Sequence, residues 1–244
     1  MFVLSFILGL FFGSFLNVLI YRIPRRESVV WPGSHCGQCG HPLGLPDLIP
    51  VLSYLFLRGK CRYCGNHISF RYPLVELITA ISFLLVYLKF GYTVAAAAGC
   101  LLACLLIVAA LTDIINGIIP DVITYPGMLV GLILAFFTIG IKSALMGMLG
   151  FGLFFFLLAL LSRGGMGGGD VKLVALIGAF LGPFNSGLVF ILSSLAGGLW
   201  AVIMLLFKGA GRKTEIRFGP FLALAAFIIY LYGSELFYFY LGFF

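Results

Sequence analysis

The chain has 244 residues, 62% of them hydrophobic and only 9% charged, where an ordinary soluble domain carries roughly 25% charged residues to cover its outside. That shortage excludes a soluble globular protein and leaves the lipid bilayer as the solvent. The net charge of +7 would suggest nucleic acid in a soluble protein, but in a membrane chain it has to be assigned loop by loop.

A spanning helix needs about 20 mainly apolar residues. The first such run, 2–21, has no basic stretch before it and no small-residue cleavage site after it, and Arg22, Arg25 and Arg26 follow it. It is expected to be a retained transmembrane helix with its C-terminal end in the cytosol, and not a signal peptide. Asn17 inside this run is expected to hydrogen-bond to another helix.

Segment 22–73 is hydrophilic and contains most of the prolines and all three histidines. Cys36-Gly-Gln-Cys39 and Cys61-Arg-Tyr-Cys64 each place two thiolates on one tight turn, helped by Gly37, Gly40 and Gly65. Two such knuckles facing each other supply the four sulfurs of a closed structural zinc site. A segment with so few apolar side chains needs a metal to hold it. A disulfide pair would be reduced in the cytosol, and a catalytic zinc would need an open ligand position. His35, His41 and His67 are read as surface histidines. Cys100 and Cys104 are read as small apolar residues within a helix bundle.

Further apolar runs lie at 74–90, 94–112, 122–140, 142–162, 171–184, 186–207 and 219–240. The fold expected is an all-α polytopic membrane protein of about eight transmembrane helices, with a small cytosolic zinc-knuckle domain between the first two. Its divisions are 1–21 (first helix), 22–73 (zinc-binding domain) and 74–244 (transmembrane core). With the N-terminus outside, every Lys and Arg except Lys89 and Lys142 falls on the cytosolic side. That positive-inside bias fixes the expected orientation and accounts for the basic charge without nucleic acid.

Only eight Asp and Glu are present, so each can be weighed. Glu27, Asp47, Glu215 and Glu235 are read as solvated or rim residues. Glu76, placed just inside the second span, is accounted for by the helix N-terminus, which favours a carboxylate, with a site role as the other reading. Asp121 follows Pro120 and is expected to cap the fourth span. Asp113 ends the third span, where an ionised group beside hydrocarbon is a candidate for function. Asp170 closes Gly164-Gly-Met-Gly-Gly-Gly-Asp, a glycine run broken only by Met166. This run lacks the GxxxxGK[ST] of a phosphate-binding loop. Its backbone is expected to approach another chain closely and to pair with an extended substrate. Two carboxylates brought together cannot both ionise cheaply, so one holds a proton while the other takes one from water. That division of roles suits peptide hydrolysis. No serine-protease arrangement competes, since all three histidines lie in the cysteine segment.

The motifs resemble those of the type IV prepilin peptidases over nearly the whole chain. Gly13-Ser-Phe-Leu-Asn-Val-Leu-Ile-Tyr-Arg-Ile-Pro24 is similar to the N-terminal signature of that family. The two CxxC pairs flank Ile49-Pro-Val-Leu-Ser53, and Ile68-Ser-Phe-Arg-Tyr-Pro-Leu-Val-Glu76 follows. Thr112-Asp113 through Ile119-Pro-Asp121, Gly167-Gly-Gly-Asp-Val-Lys172 and Phe218-Gly-Pro-Phe-Leu222 match the remaining signatures. Gly37 stands where a proline is common, and Pro46-Asp-Leu replaces the commoner Asp-Asn.

The resemblance implies that Asp113 and Asp170 are the catalytic pair of an aspartic endopeptidase. It implies that Cys36, Cys39, Cys61 and Cys64 hold zinc, and that the substrates are prepilins or pseudopilins cut at the cytosolic membrane face. It also implies S-adenosylmethionine as donor for N-methylation of the new N-terminus, in a bacterial cytoplasmic membrane. No glycine-rich strand-to-helix motif of the usual methyltransferase kind is present, so the donor site has no sequence candidate. A protease without methyl transfer and an ion or proton-coupled transporter are the other readings. Lys172 either biases Asp170 or meets anionic lipid, and Gly219-Pro220 either shapes the floor of the pair or simply starts the last helix.

Overall fold

The structure is a computed structural model and describes residues 1–162, 166–208 and 217–241. The described chain is helical: α1 (Phe2–Arg22), α2 (Leu52–Phe56), α3 (Arg71–Phe90), α4 (Val94–Asn116), α5 (Asp121–Ala135), α6 (Ile141–Leu161), α7 (Gly168–Lys208) and α8 (Gly219–Leu241). Six of these are long and apolar enough to cross a membrane, while α5 is a shorter apolar helix of 15 residues. The chain divides into two compact units, Met1–Tyr92 and Thr93–Phe244.

In the first unit α1 packs along α3. Helices in lipid gain little hydrophobic free energy from meeting, so their contact depends on close backbone approach through small residues. Gly9 and Gly13 supply it. A Cβ at Gly9 would lie 2.5 Å from the Cα of Ala80, and one at Gly13 would lie 2.6 Å from the Cα of Glu76. Asn17 continues the same face, and its side-chain amide donates to the carbonyl of Tyr72 at 3.0 Å, the interhelical bond expected from the sequence.

In the second unit α7 packs against α5, α6 and α8, and α4 packs against α8. A fully buried set including Leu102, Ala109, Leu173, Leu176 and Leu222 fills the interior, and many large apolar side chains such as Leu149, Leu153 and Leu195 face outward. Outward leucines are what a lipid solvent permits. Gly147 of α6 and Gly178 of α7 meet backbone to backbone, leaving no space for a Cβ on either.

Several boundaries differ from the expected ones for local reasons. α4 continues beyond 112 to Asn116, where Gly117, at φ 70°, ends it by donating its N–H to the carbonyl of Asp113. α5 stops at Ala135 instead of 140, through a turn closed by the N–H of Gly140 on the carbonyl of Ala135. The expected gap between spans 171–184 and 186–207 lies at Gly182 (φ 72°, ψ 178°), ahead of Pro183 inside the continuous run of α7. A proline has no N–H for the helix ladder and crowds the preceding turn. Glycine there accepts a backbone conformation closed to other residues.

Candidate active site and metal centre

Asp113 lies in the last turn of α4, and Asp170 lies in the first turn of α7. A carboxylate suits the positive end of α7, whereas Asp113 sits at the negative end of its own helix. Two partners offset that. Gly219, the first residue of α8, donates its N–H to Oδ2 of Asp113 at 3.1 Å. The Arg217 guanidinium donates to the carbonyl oxygens of Asp113 and Ile114. The ends of α4 and α8 thus meet at Asp113, which is only 8% exposed, and the start of α7 adjoins the segment just after α4, where Gly169 abuts Ile119. Gly219 does both things considered for it, since it starts α8 and also touches the carboxylate. In the sequence Arg217 reads only as a basic loop residue. Its place one residue before Phe218-Gly-Pro was the available signal.

The glycine run before Asp170 departs from expectation. Gly164 and Gly165 lie outside the described residues, and Gly168 and Gly169 are already helical. The described part therefore does not form an extended edge for pairing. Its smallness serves packing, because a Cβ on Gly169 would stand 3.1 Å from Cβ of Ile119. Asp121 is also corrected. It is the first residue of α5, Pro120 holds the cap position, and no side chain caps the helix. Its Oδ1 instead takes a hydrogen bond from Lys172 at 2.6 Å. Lys172 is thereby paired with Asp121, and its ammonium also lies 5.3 Å from the centre of the Tyr125 ring.

In the first unit the two CxxC turns are built alike. Cys36 and Cys61 take the N–H of the glycine four residues on, Gly40 and Gly65, and donate to the carbonyls of His41 and Asn66. Gly40 (φ 69°) and Gly65 (φ 71°) occupy the left-handed conformation these turns require. The four sulfurs lie within 4.8 Å of one another, with Cys36 and Cys64 3.9 Å apart. A tetrahedral zinc with bonds of about 2.3 Å separates its sulfurs by about 3.8 Å, so this donor set fits the ion. The three histidines are exposed and stand outside the cluster. The backbone N–H of Cys39, then that of Gln38, brings the Cys36 thiol down to about 6, into the range where it is a thiolate at neutral pH. Cys64 behaves oppositely. The Asn66 N–H lowers it, but burial and the other three sulfurs outweigh that and push it up to about 11. Sulfurs crowded in this way share negative charge, which a dication among them would stabilise.

Asp47, expected to be solvated, has a side chain only 6% exposed and ties the second knuckle to the loop that follows the first. Its carboxylate takes hydrogen bonds from Arg62 Nε at 2.7 Å, the Tyr63 hydroxyl at 3.0 Å and the N–H of Gly44 at 3.1 Å. Burial alone would raise its pKa, but these donors hold it below the usual carboxylate range. The Tyr63 ring in turn stacks on His41, centroids 3.6 Å apart.

Glu76 also needs a different account. Because α3 begins at Arg71, Glu76 lies beyond the first turn, where the helix dipole falls off. It is 8% exposed, and its Oε2 accepts the N–H of Val51 at 2.7 Å. Val51 has φ 61° and ψ −48°, and Leu52 donates to the carbonyl of Pro50 at 2.6 Å. This is the strained, positive-φ form of γ-turn, on a β-branched residue, and it costs about 1–3 kcal/mol.

Comparison with known proteins adds the following. Residues 7–90 match the bacterial peptidase A24 N-terminal domain, and residues 100–202 match the type IV leader peptidase family. A protein named prepilin leader peptidase/N-methyltransferase from Myxococcus xanthus is 41% identical, over 87% of this chain and 66% of its own. Proteins of the same name from Pseudomonas putida (36% identical, 96% of this chain, 91% of its own) and Bacillus subtilis (37%, 97% and 96%) align almost end to end. No solved structure matches. With both domains matched in chain order and relatives aligned over nearly their full length, the chain belongs to the type IV leader peptidase family.

Proposed function

We propose that this chain cleaves the leader peptide of type IV prepilins or pseudopilins by aspartic-pair hydrolysis and N-methylates the residue so exposed, with S-adenosylmethionine as donor. What supports the reading is Asp113 held at the meeting ends of α4 and α8 by the Gly219 N–H, with Asp170 in the first turn of α7, whose neighbour Gly169 abuts Ile119 just beyond α4. The names of the relatives support both activities and favour neither the protease-only nor the transporter reading.

In this reading Asp113 and Asp170 share one proton. The ionised carboxylate takes a proton from water, whose oxygen attacks the scissile carbonyl carbon. The protonated partner gives its proton to the leaving nitrogen as the C–N bond breaks. The Gly219 N–H keeps Asp113 oriented throughout. Cys36, Cys39, Cys61 and Cys64 hold a structural zinc, which joins the two knuckles and takes no part in hydrolysis.

The chain is placed as a multi-pass protein of the bacterial cytoplasmic membrane, with its N-terminus outside and segment 22–73 in the cytosol. The charge bias supports this placement. Counting α5 and the two parts of α7 on either side of Gly182 separately gives eight spans. A prepilin carries a basic leader before an apolar helix, so its scissile bond lies at the interface where Asp113 and Asp170 are placed.

Mass spectrometry of a prepilin incubated with the purified chain, with and without S-adenosylmethionine, tests both activities on one substrate. Asp113→Ala and Asp170→Ala are each expected to abolish cleavage. Retained cleavage in either variant would sink the assignment of the pair.

A further inference from the structure

A cavity of about 430 Å³ lies in the first unit, walled by α1, the cysteine-bearing segment and the start of α3. Its size is that of a site for a small organic cofactor, and its lining is specific. Glu76 presents a carboxylate that takes hydrogen bonds from the Val51 N–H and the Ser14 hydroxyl. Asn17 is 5% exposed, and its Oδ1 is a buried acceptor with no donor partner. A buried, unsatisfied acceptor beside a carboxylate calls for a cationic or N–H-bearing ligand.

The remaining walls complete the pattern. Arg22 lines the cavity with a guanidinium whose bonds to the carbonyls of Ser28 and Gly33 use two of its five N–H groups. Tyr21, Tyr54 and Tyr72 add aromatic surface. A ligand bearing a cation, a carboxylate and a flat heteroaromatic ring has a counterpart for each part. Strain points the same way, because the γ-turn at Val51 aims its N–H at Glu76 and holds that side chain in place. Cys36 and Cys61 are also lining residues, so the metal-bearing knuckles shape this cavity directly.

We infer that this cavity is the methyl-donor site, with Glu76 facing the sulfonium of S-adenosylmethionine and Asn17 lining the same wall. The inference rests on the reading that the chain transfers a methyl group. In the step itself the neutral amine nitrogen attacks the methyl carbon. The N–C bond forms as the C–S bond breaks, the electron pair stays on sulfur, and the resulting secondary ammonium releases a proton to water.

The test is calorimetric titration of the full chain in detergent with two analogues. Sinefungin carries an ammonium where the donor has its sulfonium, and S-adenosylhomocysteine carries a neutral thioether there. Glu76→Gln is expected to weaken sinefungin roughly tenfold or more while leaving S-adenosylhomocysteine within about threefold, because only the cation loses its partner. General damage to the fold would weaken both alike, and that result, or no change in either, overturns the inference. Ser14→Phe, which fills the cavity from α1, is expected to abolish binding of both analogues. Unchanged binding there overturns the inference too. If the unaltered chain yields no methylated product in the mass spectrometric assay, methyl transfer itself fails. If it methylates while both variants bind as before, only the site is wrong.

Discussion

Gly219 gives its backbone N–H to Oδ2 of Asp113 at 3.1 Å, joining the first residue of α8 to the last turn of α4 across 106 positions of sequence. The bond satisfies one of the free N–H groups at the start of α8 and fixes the carboxylate at once. A Cβ at position 219 would stand 2.7 Å from that same oxygen. Gly219→Ala is therefore expected to displace Asp113 and lower kcat for cleavage by roughly 100-fold, the effect of a misplacement of about 1 Å. A rate within threefold of the original would show that Asp113 tolerates the shift.

Arg217 closes the other side of the same helix end through two carbonyls. Arg217→Lys keeps the charge near the end of α4 but loses the planar fork. It is expected to lose stability on the order of 0.5–1 kcal/mol and to lower kcat for cleavage by more than that loss of stability accounts for. Thermal unfolding and kcat on the same preparation separate the two effects.

The pairing of α1 with α3 depends on space that only glycine leaves. Gly13→Leu should separate the helices at Glu76 and cost about 1–3 kcal/mol, the range for overpacked contacts. Gly150→Ala, on an open face of α6 with nothing near it, should be close to neutral. Thermal midpoints of the two variants check the contrast, and equal losses would count against it.

The four cysteines are expected to retain about one zinc per chain, measurable by elemental analysis. Cys61→Ser should lower that content, expose segment 22–73 to protease and reduce methylation more than cleavage, since Cys61 lines the cavity of the first unit while Asp113 belongs to the second. Equal loss of both products would refute separate stations for the two reactions.

Val51 carries strain that glycine would not. Val51→Gly preserves the N–H to Glu76 and is expected to raise stability by about 1 kcal/mol. A clear fall in the thermal midpoint would mean that the valine side chain contributes more than its backbone costs.

Much was legible before any coordinates. The scarcity of charge required a lipid solvent, and the spacing within each CxxC pair dictated matching turns, because both depend on composition or on residues a few positions apart. The interhelical bond of Asn17 is legible because a lone amide in an apolar run has few ways to be satisfied. Asp47, Asp121 and Glu76 differ from the sequence expectation for one reason: their neighbours in sequence do not include their partners, which are Arg62 and Tyr63, Lys172, and the N–H of Val51.

The sequence by itself determined the solvent, the helical architecture, the local shape of the knuckles and the two aspartates worth watching. Only the tertiary structure decided that Asp113 meets the first N–H of α8, that Arg217 closes the end of α4, and that Glu76 and Asn17 line one cavity. Periodicity and propensity act over a turn or two of helix. Which helix ends meet depends on packing among glycines and buried leucines spread along the chain, and no local pattern encodes that.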